Sequence, residues 1–343
     1  MIINLKPRLV LLLSISLVSL FLCGCLTEQY HPPKEFNDAK EIYSGSFPTV
    51  NTAGTMIAFS RYDSVNRIYL GGTDGVSAYR ITTGSNPTVS PDGNSIAFIR
   101  YSYGIDTYSC SLIVVDGKSL MEKNLLSAPL PYGIREIKWS PDGSNIAFSH
   151  DSVYDSFWKI IRSDGSGTIL NSFSGYFFNW SPDGKQFVYT RYLQPGIIIG
   201  SVGSKVTVQV NNAFGAIIPV WLPDGNAVAY LNDYGNSLRY YSLVNGTDSV
   251  ISGGISTYNY NGRFTAISPD GRKVAEGVYD GGNPDMAPSV KIYIHDAFSK
   301  TQKQVALLYG GDMEKVLWSA DSRTLYFSLF HSKPSIYRYT LSN

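Results

Sequence analysis

Trp180-Ser181-Pro182-Asp183-Gly184-Lys185-Gln186-Phe187-Val188-Tyr189 decides how this chain folds. A bulky apolar residue runs into a four-residue turn, and an apolar strand leaves it. Pro presets φ for the second turn position, Asp accepts hydrogen bonds from the backbone just ahead, and Gly tolerates positive φ. Such a turn joins two antiparallel strands into a hairpin. The same pattern occurs at Val50 to Gly54, Val89 to Gly93, Trp139 to Gly143, Trp221 to Gly225, Ile267 to Gly271 and Trp318 to Ser322. Successive copies lie 39, 50, 41, 41, 46 and 51 residues apart. Short strands recurring with a period of about 40–50 residues predict a β-propeller.

Each unit predicts four strands. In the second, these are Pro87 to Val89, Ile96 to Ile99, Leu112 to Val115 and a last one near Leu125. Ala58, Ala97, Ala147 and Ala229 sit mid-strand at equivalent positions and suit close approach of neighbouring sheets. Ile42 to Val50 (IYSGSFPTV) parallels Ile81 to Val89 (ITTGSNPTV), so Ile42-Tyr43 reads as a fourth strand with no blade ahead of it. The last unit supplies only three strands. The expectation is an all-β fold, a single seven-bladed β-propeller closed by an N-terminal strand, with no open sheet edge between its ends.

These turns resemble those of the TolB-like, WD-repeat-like propeller family, whose hallmark is the W/I-S-P-D-G turn followed by an apolar strand. The resemblance covers about 300 residues and implies the propeller fold. TolB itself carries an α/β domain before six blades, whereas here seven units follow a short lead.

That lead reads as a processing segment. Lys6 and Arg8 precede the apolar run Leu9 to Leu22, which is shorter than the roughly 20 residues of a membrane-spanning helix. Leu22-Cys23-Gly24-Cys25 resembles a bacterial lipobox, which makes Cys25 the lipid anchor and new N-terminus. The expected organisation is a signal peptide over 1–24, a tether over 25–38 and the propeller over 39–343. The expected address is the bacterial cell envelope, lipid-anchored at the outer membrane.

Formal charge is +1, which excludes the basic footprint of a nucleic-acid binder. With charged residues at 16% and 25 Tyr beside 16 Phe, the composition suits strands packed between sheets. Cys110 is the one thiol besides Cys23 and Cys25, so core burial rather than an internal disulfide must stabilise the domain.

The repeated Trp and Asp read as core and turn residues, because the Trp slot also accepts Val and Ile and each Asp belongs to a separate blade. Function is sought where the copies differ. Seven residues beyond each turn glycine come Arg61, Arg100, His150 and Arg191, followed by Tyr62, Tyr101, Asp151 and Tyr192. Equivalent positions share one face, so blades 1 to 4 should present a cationic, tyrosine-rich arc able to hold carboxylates, phosphates or a peptide main chain. The plainer reading is that each Arg pairs locally, with Asp63 or Asp106, and solvates the rim. Unequal loops at Tyr101 to Tyr108, His150 to Asp155 and Asp280 to Pro288 mark the same face.

His31, His150, His295 and His331 have no metal-ligand spacing, and neither a G-x-S-x-G elbow nor a phosphate loop is present, so no metal, cofactor or catalytic residue is expected. The sequence reading is therefore a non-enzymatic, lipid-anchored scaffold, monomeric as a domain, that binds an envelope protein or peptide. A carbohydrate- or small-anion-binding receptor is the alternative, and a hydrolase or lyase the third possibility.

Overall fold

The computed structural model describes residues 36–103, 108–128, 133–151, 156–191, 196–210, 215–232, 236–253, 255, 264–280, 289–309, 312–330 and 333–342. Among them every regular element is a β-strand. Seven antiparallel sheets follow one another along the chain, and each forms a blade of the propeller.

Blades 1 to 5 run 46–83, 85–128, 134–174, 176–209 and 217–253, each with its first strand innermost and its last outermost. Blade 6 spans 265–309 and gains a short outer strand, Phe36–Asn37, which pairs with Leu307 and Ala306. Among the described residues, pairing thus starts at Phe36, inside the expected tether. Blade 7 takes three strands from 312–340 and its outer strand from Lys40–Ser44, which pairs antiparallel with Ser335–Thr340. This is the closing strand read from the Ile42-Tyr43 pattern. Ile42 and Tyr43 are buried, and the Tyr43 hydroxyl donates to the carbonyls of Gly72 and Ser77 at 2.7 and 2.8 Å. One chain end is thereby fastened to blade 7 and blade 1 together.

The turns are built as their composition requires. Ser90 Oγ donates to Asp92 Oδ1 at 2.5 Å, and the Asn94 N–H reaches the same oxygen at 3.1 Å. These donors hold the Asp92 carboxyl below the usual carboxylate range, the Ser90 hydroxyl most of all. Gly93 supplies φ of 81°. The tryptophans are core and brace at once. Trp180, Trp221 and Trp318 are buried, while the indole N–H groups of Trp139, Trp180 and Trp318 donate to Thr88, Lys138 and Ala266 of a neighbouring blade at 3.0–3.1 Å.

Between blades the core is aliphatic and aromatic. Ala58, Ala97, Ala147, Ala229 and Ala275 are fully buried mid-strand, where a larger side chain would push adjacent sheets apart. Cys110 is buried in this core, and burial raises its thiol pKa.

Candidate active site at the propeller axis

Six of the seven innermost strands carry an irregularity near their start. The register slips between Ser46 and Thr49, Ser85 and Thr88, Ile134 and Ile137, Tyr176 and Asn179, Ile217 and Val220, and Met313 and Lys315. Bulges of this kind re-aim side chains and recur beside functional sites. Phe47, Asn86, Phe177 and Ile218, each three residues before the blade's inner apolar residue, have φ of 50–54°. Non-glycine residues rarely take that left-handed conformation, so the strand is bent there by its surroundings.

At the same count back from Trp139 and Trp318 stand Glu136 and Lys315, with Phe264 in blade 6. The ring around the axis is therefore apolar or amide in five blades and charged in two. Burial pushes the Lys315 ammonium down to about 8 from the ordinary lysine value; Glu136 opposes that shift, Lys138 adds to it and Glu314 opposes it. Lys315 of blade 7 and Glu136 of blade 3 both stand on innermost strands, which line the axis of a propeller. Beside Lys315, burial raises the Glu314 carboxyl, against the hydroxyls of Ser46 and Ser328 and the backbone N–H of Phe47. Lys138 Nζ donates to the Phe178 carbonyl at 2.6 Å and lies 3.5 Å from Glu136 Oε2. The axial group thus combines an amine whose pKa falls to about 8, a carboxyl whose pKa is raised by burial, and a lysine held by blade 4.

Lys315 pairs with Ser328, one residue from Leu329, the blade 7 counterpart of Arg61. The axial group and the arc read from the sequence accordingly lie at the same end of the blades. Within the arc, Arg61 donates Nε–H to the Ser44 carbonyl at 2.9 Å and stacks over Tyr69 at 4.7 Å. Asp63 pairs with Arg67. Arg100 donates to the Thr83 carbonyl at 3.2 Å through Nε and holds Glu122 with both terminal nitrogens at 2.7 and 2.8 Å. Its partner is thus Glu122, while Asp106 lies outside the described residues. Arg191 contacts the Tyr189 hydroxyl at 3.2 Å, and His150 stacks on Phe157 at 5.6 Å. Tyr62 and Tyr101 are 71% and 42% exposed and offer their rings to solvent. Tyr192, Cys25, residues 1–35 and most of the three unequal loops lie outside the described residues.

Sequence reading missed the axial group. Glu136, Lys138, Glu314 and Lys315 belong to no motif, and only the count back from each repeat's inner residue could have aligned them.

No family model matches the chain, and no curated protein does. Among solved structures it superposes on an oligogalacturonate lyase in complex with manganese with a TM-score of 0.62 and 15% identity, covering 89% of this chain and 91% of the lyase. It is similar to the β-propeller domain of the Trilobed protease from Pyrococcus furiosus (TM-score 0.58, 16% identity, 88% and 96% covered). It also matches an acylaminoacyl peptidase from Pyrococcus horikoshii at TM-score 0.59 and 17% identity, over 90% of this chain and 54% of the peptidase. At these identities the likeness carries the fold.

These neighbours overturn the expectation of a non-enzymatic scaffold or receptor and of no enzyme activity. That expectation inferred a missing activity from missing motifs, yet the solved propellers with this architecture include enzymes, and the lyase is nearly co-extensive with this chain. The physical reason lies in the ring: Glu136 and Lys315 stand on different blades, so no short motif records their meeting. Among the described residues no group of three or more His, Cys, Asp or Glu converges, so the manganese of the lyase has no counterpart ligand set there.

Proposed function

We propose that this protein is an enzyme that cleaves acidic oligosaccharides by β-elimination at the propeller axis. The observation that carries the reading is Lys315, an amine at the axis whose burial brings its pKa to about 8, within reach of the charges of Glu136 and Lys138. A neutral amine is a general base, and bases tuned toward the working pH transfer protons best. Elimination from a uronate needs three things: a base for the proton beside the carboxylate, a cation to steady the charge that develops there, and an acid for the departing glycosidic oxygen. Lys315 removes the proton, the electron pair becomes the new carbon–carbon double bond, and the glycosidic C–O bond breaks. Lys138 supplies the cation. Glu314, whose carboxyl pKa is raised by burial, returns a proton to the leaving oxygen in its protonated form.

The match to an oligogalacturonate lyase over nine tenths of both chains supports the substrate class. The arc at the same end of the blades is proposed to hold the saccharide, with Tyr62 and Tyr101 as stacking platforms and Arg61, Arg100, His150, Arg191 and Tyr192 around them. Kinship with the TolB-like repeat family rests on the W-S-P-D-G turns. A lipid on Cys25 would keep the enzyme at the outer membrane, where an envelope protein could feed or receive its product.

The test is turnover of oligogalacturonate by the purified protein, followed by the absorbance of the unsaturated uronate product. Activity lost in Lys315→Met with the fold intact is the expected result. A wild-type protein that yields no unsaturated product from any polyuronate refutes the reading.

A further inference from the structure

Aligning the seven blades exposes one exception in the core. Five residues beyond the turn, six blades bury a whole aromatic ring: Phe59, Phe98, Phe148, Tyr189, Tyr230 and Phe327 are all 0% exposed. Blade 6 has Glu276 there, 2% exposed. A buried carboxylate in a slot built for a ring is costly unless it is paired and hydrogen-bonded. His295 supplies the partner, with Nε2 2.5 Å from Glu276 Oε1.

The consequence is space. Glu276 pairs with Tyr293, Val278 with Lys291 and Val274 with His295, so these residues share one face of blade 6. The opposite face, with Ala275, Ile292 and Ile294, packs into blade 7 as an ordinary apolar core. Toward blade 5 the face packs Val274 into a core with Leu231 and Leu238, and presents Glu276, His295, Tyr293 and Lys291 beside it. A cleft of about 1050 Å³ opens between it and Val250–Gly253 of blade 5's outer strand. That volume matches the size of sites for small ligands. Its walls offer two tyrosines, Tyr279 and Tyr293, two cations, Lys291 and Lys300, and Gln302, with the Glu276–His295 pair among them. Asp296 is also present, but its carboxylate is engaged by the N–H groups of Phe298 and Ser299 at 3.0 and 2.9 Å.

We propose that this cleft is a second saccharide site, which holds acidic oligosaccharide apart from the axis. Lys291 and Lys300 meet the sugar carboxylates, the tyrosine rings take the apolar faces of the sugar rings, and Glu276 with His295 pairs with hydroxyls. The choice of an acidic sugar rests on the lyase reading; the cleft itself does not. It would retain a chain between turnovers, since it shares no described residue with the axial group.

Calorimetric titration of the full-length protein with digalacturonate tests this, using Lys315→Met to silence turnover. Two sites are expected, and Glu276→Phe should abolish one of them while melting at or above the wild-type temperature, because it restores the ring of the other blades. Should Glu276→Phe fail to fold, Glu276→Gln keeps the volume and is expected to weaken that site about tenfold. One site in Lys315→Met, or two that ignore both Glu276 variants, overturns the inference even if turnover is seen. Binding that depends on Glu276 in a protein without lyase activity overturns the axial reading and leaves the cleft standing.

Discussion

The Nε–H of Arg100 reaches 3.2 Å back to the carbonyl oxygen of Thr83, on the outer strand of the blade before it. Arg61 does the same to Ser44 at 2.9 Å, and both contacts span seventeen residues. Two members of the arc are therefore blade-to-blade clamps, whatever else they hold.

Arg100→Ala should cost stability. It removes the bidentate pair with Glu122 and the bonds to Thr82 and Thr83, in a setting about one third exposed. Discounted for solvent, the expected loss is about 1–2 kcal/mol in urea unfolding. A loss below the error of the measurement would remove the clamp as a stabilising contact. Tyr62→Ala, at an exposed position, should leave stability unchanged and report only on saccharide binding.

On the proposed elimination, Lys315 should shape the pH dependence of turnover. The neutral form of Lys315 is the base and the protonated form of Glu314 the acid, so the rate should rise as Lys315 loses its proton toward about 8 and fall where Glu314 loses its own. The Lys315 shift also acts on stability with a definite sign. Its folded pKa lies below its unfolded value, so the unfolded state binds the extra proton and Lys315 destabilises the fold at neutral pH. Lys315→Met should stabilise by on the order of 1–2 kcal/mol at pH 7. That gain should fade between about 8 and the ordinary lysine value, as thermal melts across that range would record.

Glu314 runs the other way. Burial raises its pKa, so the folded state binds the extra proton and the group costs stability as pH rises from the ordinary glutamate value through the folded one. Glu314→Gln should therefore gain stability at neutral pH and lose that gain in acid. A variant equally destabilised at every pH would point to lost packing instead.

The tryptophans offer an internally controlled series. Trp139, Trp180 and Trp318 each donate an indole N–H to a neighbouring blade, whereas Trp221 Nε1 is buried with no hydrogen-bond partner among the described residues. Changing each of the first three to Phe should cost the lost hydrogen bond, about 1 kcal/mol, plus any packing loss. Trp221→Phe should cost clearly less, because it removes a buried unsatisfied donor. Equal losses at all four positions, measured by chemical denaturation, would show that ring volume alone matters.

Ile42→Asp should open the ring. Ile42 is buried on the closing strand, and an unpaired carboxylate there costs several kcal/mol. The expected outcome is a large loss of stability with aggregation through the exposed edge of blade 7. A soluble variant with a wild-type melt would show that the strand is dispensable.

Much of this was legible along the chain. The turn at Trp180 to Gly184 fixed the strand order, because Pro, Asp and Gly act on the backbone within a few residues of themselves. The closing strand followed from the likeness of Ile42 to Val50 and Ile81 to Val89. What the chain could not state was which unlike residues face one another once the ring closes. Lys315 meets the charge of Glu136 only because blades 7 and 3 share an axis, and Glu276 becomes an exception only when six buried rings stand at its position. Turn chemistry is local and survives in sequence; burial and charge around the axis depend on distances set by all seven blades together.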